Sequence, residues 1–414
     1  MHIMIKIFIR NYKILKLNLS NPTFLYHNCS TKNFKRKKMR KVVILLVGMV
    51  TLSFALTDAQ IRDNCYKRGN YKCAIEYGKK VLNSDIRRFG KNSTVSSKDY
   101  NKLGLSFLAQ GYYKEALDCF NKSLKIAKRK FGKNSIVVSA MYNNIGETYN
   151  LLSKYDTALK YFKKSLIIDK KTVGNNSVIT ANHYNNIGIV YNKIGKYKQA
   201  LIYLNKALKI NKRVLGEKHK DTAMSYNNIG HIYDKLGKYE KALKYYEKAL
   251  KIDKLVLGKN HPVVATLYNN IGAIYSNWGQ YDKTLDYYQK ALNIRKSLLG
   301  ENHLDTAQSY NNFGFVYASL KKYDKALMYF KKALNIQKQI LGENYPETAL
   351  SYNNIAMIYY FQGKYKKALD YITKAYNIDK KILGENHPRT RFFKSNLDAI
   401  KQKLKNNNSN RQNQ

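Results

Sequence analysis

Apolar positions recur in two alternating helical phases along most of this chain. In Thr222–Gly237, Tyr226, Ile229, Gly230 and Tyr233 fall at i, i+3, i+4 and i+7, one face of an α-helix. Gly237-Lys238 interrupts the pattern, and Tyr239, Ala242, Leu243, Tyr246, Ala249, Leu250 and Ile252 then define a second helical face. Gly258 follows the last apolar residue with Lys254 in the preceding turn, which predicts a helix stop. His261-Pro262 opens the next helix, where proline suits the first turn. A break this short makes neighbouring helices antiparallel, so the unit is a helical hairpin.

The same unit returns along the chain. Glycine stands at Gly90, Gly132, Gly174, Gly216, Gly258, Gly300, Gly342 and Gly384, each 42 residues after the last. Tyr71, Tyr113, Tyr155, Tyr197, Tyr239, Tyr281, Tyr323 and Tyr365 keep the same period, as does a column from Tyr100 to Tyr352. Each hairpin has apolar faces it cannot cover alone, so neighbours must stack. The fold class expected is all-α: a right-handed superhelical solenoid of stacked antiparallel helix pairs. Eight repeats occupy residues 60–393. Residues 394–405 keep Leu397, Ile400 and Leu404 on one face and are expected to form a capping helix; the polar stretch 406–414 is expected to be disordered.

The unit resembles the tetratricopeptide repeat. Tyr226 stands where that motif has tryptophan, Ile229-Gly230 match its Leu-Gly and Tyr233 its tyrosine; Ala242, Tyr246 and Ala249 match its second helix. The resemblance covers residues 58–393. The longer period, with YNNIG, GKYxKAL and LGxxHP, is most similar to the repeats of kinesin light chains. Residues 1–57 hold no heptads, so motor association is not carried over. The resemblance implies a non-enzymatic protein-interaction scaffold that binds a peptide segment or partner protein in a concave groove.

Charge changes this picture only slightly. The chain has 75 Lys+Arg against 27 Asp+Glu, a formal charge of +48. Residues 1–41 supply eleven basic residues and no acid; the rest is dispersed, as on a solvated face. Lys238, Lys241, Lys244, Lys248 and Lys251 lie off the apolar face of the second helix, toward the convex side. They leave open a nucleic-acid or anionic-surface binder as the alternative function, and a structural spacer as a third. Val42–Leu56 is uncharged, follows Met39-Arg-Lys, and is too short for a spanning helix. Residues 39–59 are therefore expected to be a signal peptide cleaved before Gln60, or a membrane anchor, with residues 1–38 a basic extension or a misassigned start. The protein is expected to be exported or anchored, with a cytoplasmic location the alternative.

No catalytic constellation, cofactor motif or metal-ligand cluster stands out from the repeat columns, and no cofactor is expected. His219, His261, His303 and His387 share one repeat position on separate loops, which suits helix starts better than one zinc ion. Cys65 occupies the column of Phe107 and Tyr149, so it reads as a small buried residue; an oxidising compartment would permit a Cys65–Cys73 bond.

Paired asparagines mark the candidate binding face. Asn143, Asn144, Asn185, Asn186, Asn227, Asn228, Asn269, Asn270, Asn311, Asn312, Asn353 and Asn354 recur opposite the packed face of each first helix. An amide offers donors and an acceptor, so this ladder could hold an extended partner backbone, or equally could hold neighbouring repeats in register. Few charges share the face: Lys98, Lys102, Lys193 and Lys235, with Glu147 and Asp234. Toward the end it becomes apolar at Phe315, Met357, Tyr360 and Phe361, which could anchor a partner but is expected rather to receive the capping helix.

Overall fold

A computed structural model of the protein describes residues 56–412. The expected leader at 39–59 and the extension before it lie almost wholly outside the described residues. The chain divides into two compact units, one ending at Ser84 and the other beginning at Asp85. Among the described residues every regular element is an α-helix.

The first unit holds α1 (Asp58–Lys67) and most of α2 (Tyr71–Phe89). Thr57 caps α1 by accepting from the Gln60 N–H, while the Gln60 side chain accepts from the Thr57 N–H. Cys65 is not a buried small residue: it is half-buried and bonded to Cys73, with the Cα atoms 5.8 Å apart. The tight turn at Arg68–Asn70 sets the last turn of α1 beside the first turn of α2, within disulfide reach.

The second unit continues as hairpins: α3 (Thr94–Gln110) with α4 (Tyr113–Phe131), α5 (Ile136–Leu151) with α6 (Tyr155–Thr172), and α7 (Val178–Lys193) with α8 (Tyr197–Val214). Then come α9 (Lys220–Lys235) with α10 (Tyr239–Val256), α11 (Pro262–Asn277) with α12 (Tyr281–Leu299), α13 (Leu304–Ser319) with α14 (Tyr323–Leu341), and α15 (Pro346–Phe361) with α16 (Tyr365–Leu383). The last helix, α17 (Pro388–Gln412), packs on α16. From α4 onward each second helix also packs on the next first helix, as a solenoid requires.

Most first helices are capped at their start by a side chain. Ser93, Ser135 and Ser177 accept backbone N–H bonds through their hydroxyls. In later repeats the repeated histidines take over: Nδ1 of His219, His261, His303 and His387 accepts from the N–H two residues on, at 3.1–3.2 Å. The turn between paired helices needs a positive φ, supplied by Gly195, Gly237, Gly279 and Gly363; Ser153 and Lys321 hold the same turn at φ 58° and 56°.

In the hairpins from α3/α4 to α13/α14 a glycine lets the helices close on a large side chain. A Cβ on Gly230 would stand 2.9 Å from the Tyr246 ring, and one on Gly314 would stand 2.5 Å from the Phe330 ring. Three tyrosines then cover the flank: in α9/α10 the Tyr226, Tyr245 and Tyr233 rings lie 5.9 and 5.5 Å apart. Lys248 lies over Tyr226 at 5.3 Å and Lys241 over Tyr233 at 5.8 Å, so part of the lysine face is spent on tyrosine rings.

α17 begins at Pro388, earlier than the expected cap, and remains helical through residues expected to be a disordered tail. The reason is that Gly384–Pro388 repeats the stop and start signals of every other unit. Its Phe393, Leu397 and Ile400 enter a core with Tyr352, Ile355 and Ile372. It does not cover the apolar end of the asparagine face: Phe315 and Phe361 remain 52% and 57% exposed. Phe361 instead stacks beside Tyr323, and Phe315 meets Phe330 edge-on.

Candidate functional site

The asparagine pairs lie on the faces of the first helices, and the structure joins them from one hairpin to the next. Asn144 Nδ2 donates to Asn101 Oδ1 at 2.9 Å, Asn186 to Asn143 at 3.1 Å, and Asn228 to Asn185 at 2.7 Å. Asn270 donates to Asn227 at 3.4 Å and Asn312 to Asn269 at 2.5 Å. The bonded residues are 43 apart, so the second amide of one pair reaches the first amide of the preceding pair. No such bond joins Asn354 to Asn311, whose buried Oδ1 is without a partner; the ladder resumes where Asn396 donates to Asn353 at 2.9 Å. Asn101 and Asn396 belong to this set although neither sits in an Asn-Asn pair.

These bridges use half of each amide. Among the described residues Nδ2 of Asn143, Asn185, Asn227 and Asn269, and Oδ1 of Asn144, Asn186, Asn228, Asn270 and Asn312, make no further hydrogen bond. The face therefore presents alternating donors and acceptors. It is also partly shielded from water. Burial raises the carboxyl pKa of Glu147 and of Asp234, and lowers that of the His231 imidazole between them in sequence.

A pocket of about 730 Å³ opens on this face where α5, α7 and α9 meet the end of α6. Its polar lining includes Asn143, Asn144, Asn185 and Asn186, with Asp169 and His183. Asp169 and His183 are 2% and 4% exposed. The Asp169 Oδ2 lies 2.5 Å from His183 Nε2, and Ser165 Oγ lies 3.1 Å from the same nitrogen.

That pair is one of a series, because the second-helix residue that faces the position 14 residues later changes from each interface to the next. Asn211 Nδ2 donates to Ser225 Oγ at 3.1 Å and to the Asp221 carbonyl at 3.2 Å. Arg295 Nη1 donates to Ser309 Oγ at 2.8 Å, and Ser351 donates to Gln337 Oε1 at 2.6 Å. Asp253 faces the column of Leu267, and its carboxyl pKa is pushed up to about 6 by burial against only a weak pull from His261. Asp379 is closed instead by a fork from Arg389, at 2.6 and 2.9 Å.

Sequence profiles of the tetratricopeptide repeat match residues 97–130 and, in overlapping segments, 137–381. The chain belongs to the tetratricopeptide repeat family. The apo form of RapI is 17% identical over 69% of this chain and 98% of that one, with a TM-score of 0.53. Aspartyl phosphate phosphatase F from Bacillus subtilis is 15% identical over 73% of this chain and 75% of that one, with a TM-score of 0.55. These two likenesses show the helical repeat solenoid. BtubC (BKLC) from P. vanneervenii is 24% identical over 58% of this chain and 93% of that one, with a TM-score of 0.47. No curated protein matches the chain in sequence. The tetratricopeptide fold is a protein-interaction repeat fold and generally a non-catalytic scaffold.

Proposed function

We propose that this tetratricopeptide protein is a non-enzymatic scaffold that holds an extended segment of a partner protein along the face built by its first helices. The observation that carries this reading is the half-used asparagine ladder. From Asn143 to Asn270 each amide pair is fixed by its neighbours, yet keeps an N–H donor and a carbonyl acceptor that nothing among the described residues takes up. A strip of fixed donors and acceptors suits a peptide backbone, because the backbone offers the complementary groups whatever its side chains. Pre-fixing the amides lowers the entropy lost on binding.

The lysines of the second helices face elsewhere, and several lie over tyrosine rings, so they support a phosphate-binding reading less well. A bead-displayed library of random nonapeptides, panned on the full chain, tests the proposal. Binders should be recovered, and Asn185→Ala with Asn227→Ala should weaken them roughly tenfold or more while Lys241→Glu with Lys244→Glu leaves them unchanged. Loss of binding confined to the lysine variant, or a library that yields no binder, would refute it.

A further inference from the structure

The pocket at Asp169 and His183 is lined by a side-chain pair in which both partners keep a buried polar atom without a hydrogen bond. The contact between His183 Nε2 and Asp169 Oδ2 occupies one nitrogen of the ring and one oxygen of the carboxylate. The other two atoms, His183 Nδ1 and Asp169 Oδ1, are buried and have no hydrogen-bond partner. With Nε2–H donating to the carboxylate, Nδ1 presents a lone pair, so two buried acceptors without partners belong to residues that line the pocket. Buried acceptors require donors.

Among the described residues that line the pocket, Asp169 is the only charged one and none is a lysine or arginine, despite the +48 charge of the chain. The walls are aliphatic, from Ile136, Ile179 and Ile189, and the unused Oδ1 atoms of Asn144 and Asn186 stand among the lining residues. Aliphatic walls above a carboxylate fit a long stem ending in a cationic N–H donor. Two protein donors, one nitrogen and one oxygen, fall short of the set that holds a metal ion.

We propose that this pocket receives the ammonium or guanidinium group of a lysine or arginine side chain on the bound segment. The inference rests on the scaffold reading and deepens it: the asparagine strip holds backbone, and this pocket selects a basic residue in it.

Four synthetic nonapeptide libraries, randomised except for a central Lys, Arg, norleucine or Glu, are compared for binding to the full chain. The Lys and Arg libraries should be retained ten- to a hundredfold better than the norleucine library, and the Glu library least, as charge-assisted bonds to a buried carboxylate require. Asp169→Asn should erase the preference for Lys over norleucine. Since that variant changes a buried group, Ile179→Trp provides a second test from the half-open wall, filling the pocket without altering the pair, and should erase it too. Equal retention of the Lys and norleucine libraries overturns the pocket assignment while leaving the scaffold reading standing. A preference that survives Ile179→Trp also overturns it. Failure of every library to bind would remove both readings.

Discussion

Asp253 gives the sharpest test of how the interfaces between repeats are held. It sits on α10 at 3% exposure, and no hydrogen bond reaches its carboxylate among the described residues. Burial pushes its pKa up to about 6, against an ordinary aspartate value of about 3.9. A carboxyl whose pKa is raised on folding favours the folded state while it is protonated. That contribution is intact below about pH 4 and is lost as pH rises through about 6. Two pKa units correspond to a penalty of the order of 3 kcal/mol at neutral pH, concentrated at the contact between α10 and α11. Asp253→Asn removes the charge at constant shape. The preceding repeat shows that an amide is accepted there, since Asn211 in the same column bonds the Asp221 carbonyl, whose counterpart is that of Val263. The variant should therefore be more stable than the parent at pH 7.5, by up to about 3 kcal/mol, and indistinguishable from it near pH 4. Urea unfolding across this pH range, with amide exchange of α10 and α11 as the local readout, measures the difference. A stability difference independent of pH, or a less stable variant at pH 7.5, would refute the reasoning.

Other expectations follow from contacts already described. Gly314→Ala should cost about 1–3 kcal/mol, because the new Cβ meets the buried Phe330 ring; adding Phe330→Ile should recover most of it in a double-mutant cycle, since the last hairpin pairs Ala356 with Ile372 in the same columns. Lys321→Gly should raise the melting temperature, worth about 0.5–1 kcal/mol, because the residue holds φ at 56° where most repeats have glycine. Asn269→Ala should lower stability by about 1 kcal/mol by leaving Asn312 unpaired, whereas Asn311→Ala should cost less, since no neighbouring amide bonds Asn311 Oδ1. Thermal melts of the two single variants separate these outcomes.

The hairpins were legible because their instructions repeat: Gly258, Gly237 and Tyr239 have counterparts in nearly every unit, so periodicity averages away local exceptions. The asparagine pairs were legible for the same reason. Their bonding from repeat to repeat was legible as one of two uses of the amides, but its register was not, because it joins unlike columns at an offset of 43 rather than 42. The Asp169–His183 pair left no signal at all: the Asp169 column changes residue at each repeat and histidine occurs once in the other, so neither looks like a motif. Cys65 was misread by following its column to Phe107, when the relevant partner was Cys73 across a tight turn. The apolar cluster at Phe315 and Phe361 suggested a surface for the cap, but helix direction and the Pro388 start send Phe393 and Leu397 into the core beside Tyr352.

The changing pairs between hairpins bear on how such a chain survives the copying that made it. Near-duplicate segments can dock out of turn during folding, one hairpin skipping its neighbour, and can be excised by recombination without breaking phase. If every contact were alike, neither error would be penalised. Here each contact carries its own address. Excision of residues 212–253 would set Asn211 against Leu267 and strand an amide that now bonds Ser225. Excision of residues 254–295 would set Asp253 against Ser309, giving a carboxylate that has no hydrogen bond a hydroxyl donor. The two shortened chains, equal in length, should rank clearly by melting temperature at pH 7.5, the second above the first. A repeat protein of this kind is therefore unevenly editable: some copies can be lost at little cost, while others have become specific to the neighbours they acquired.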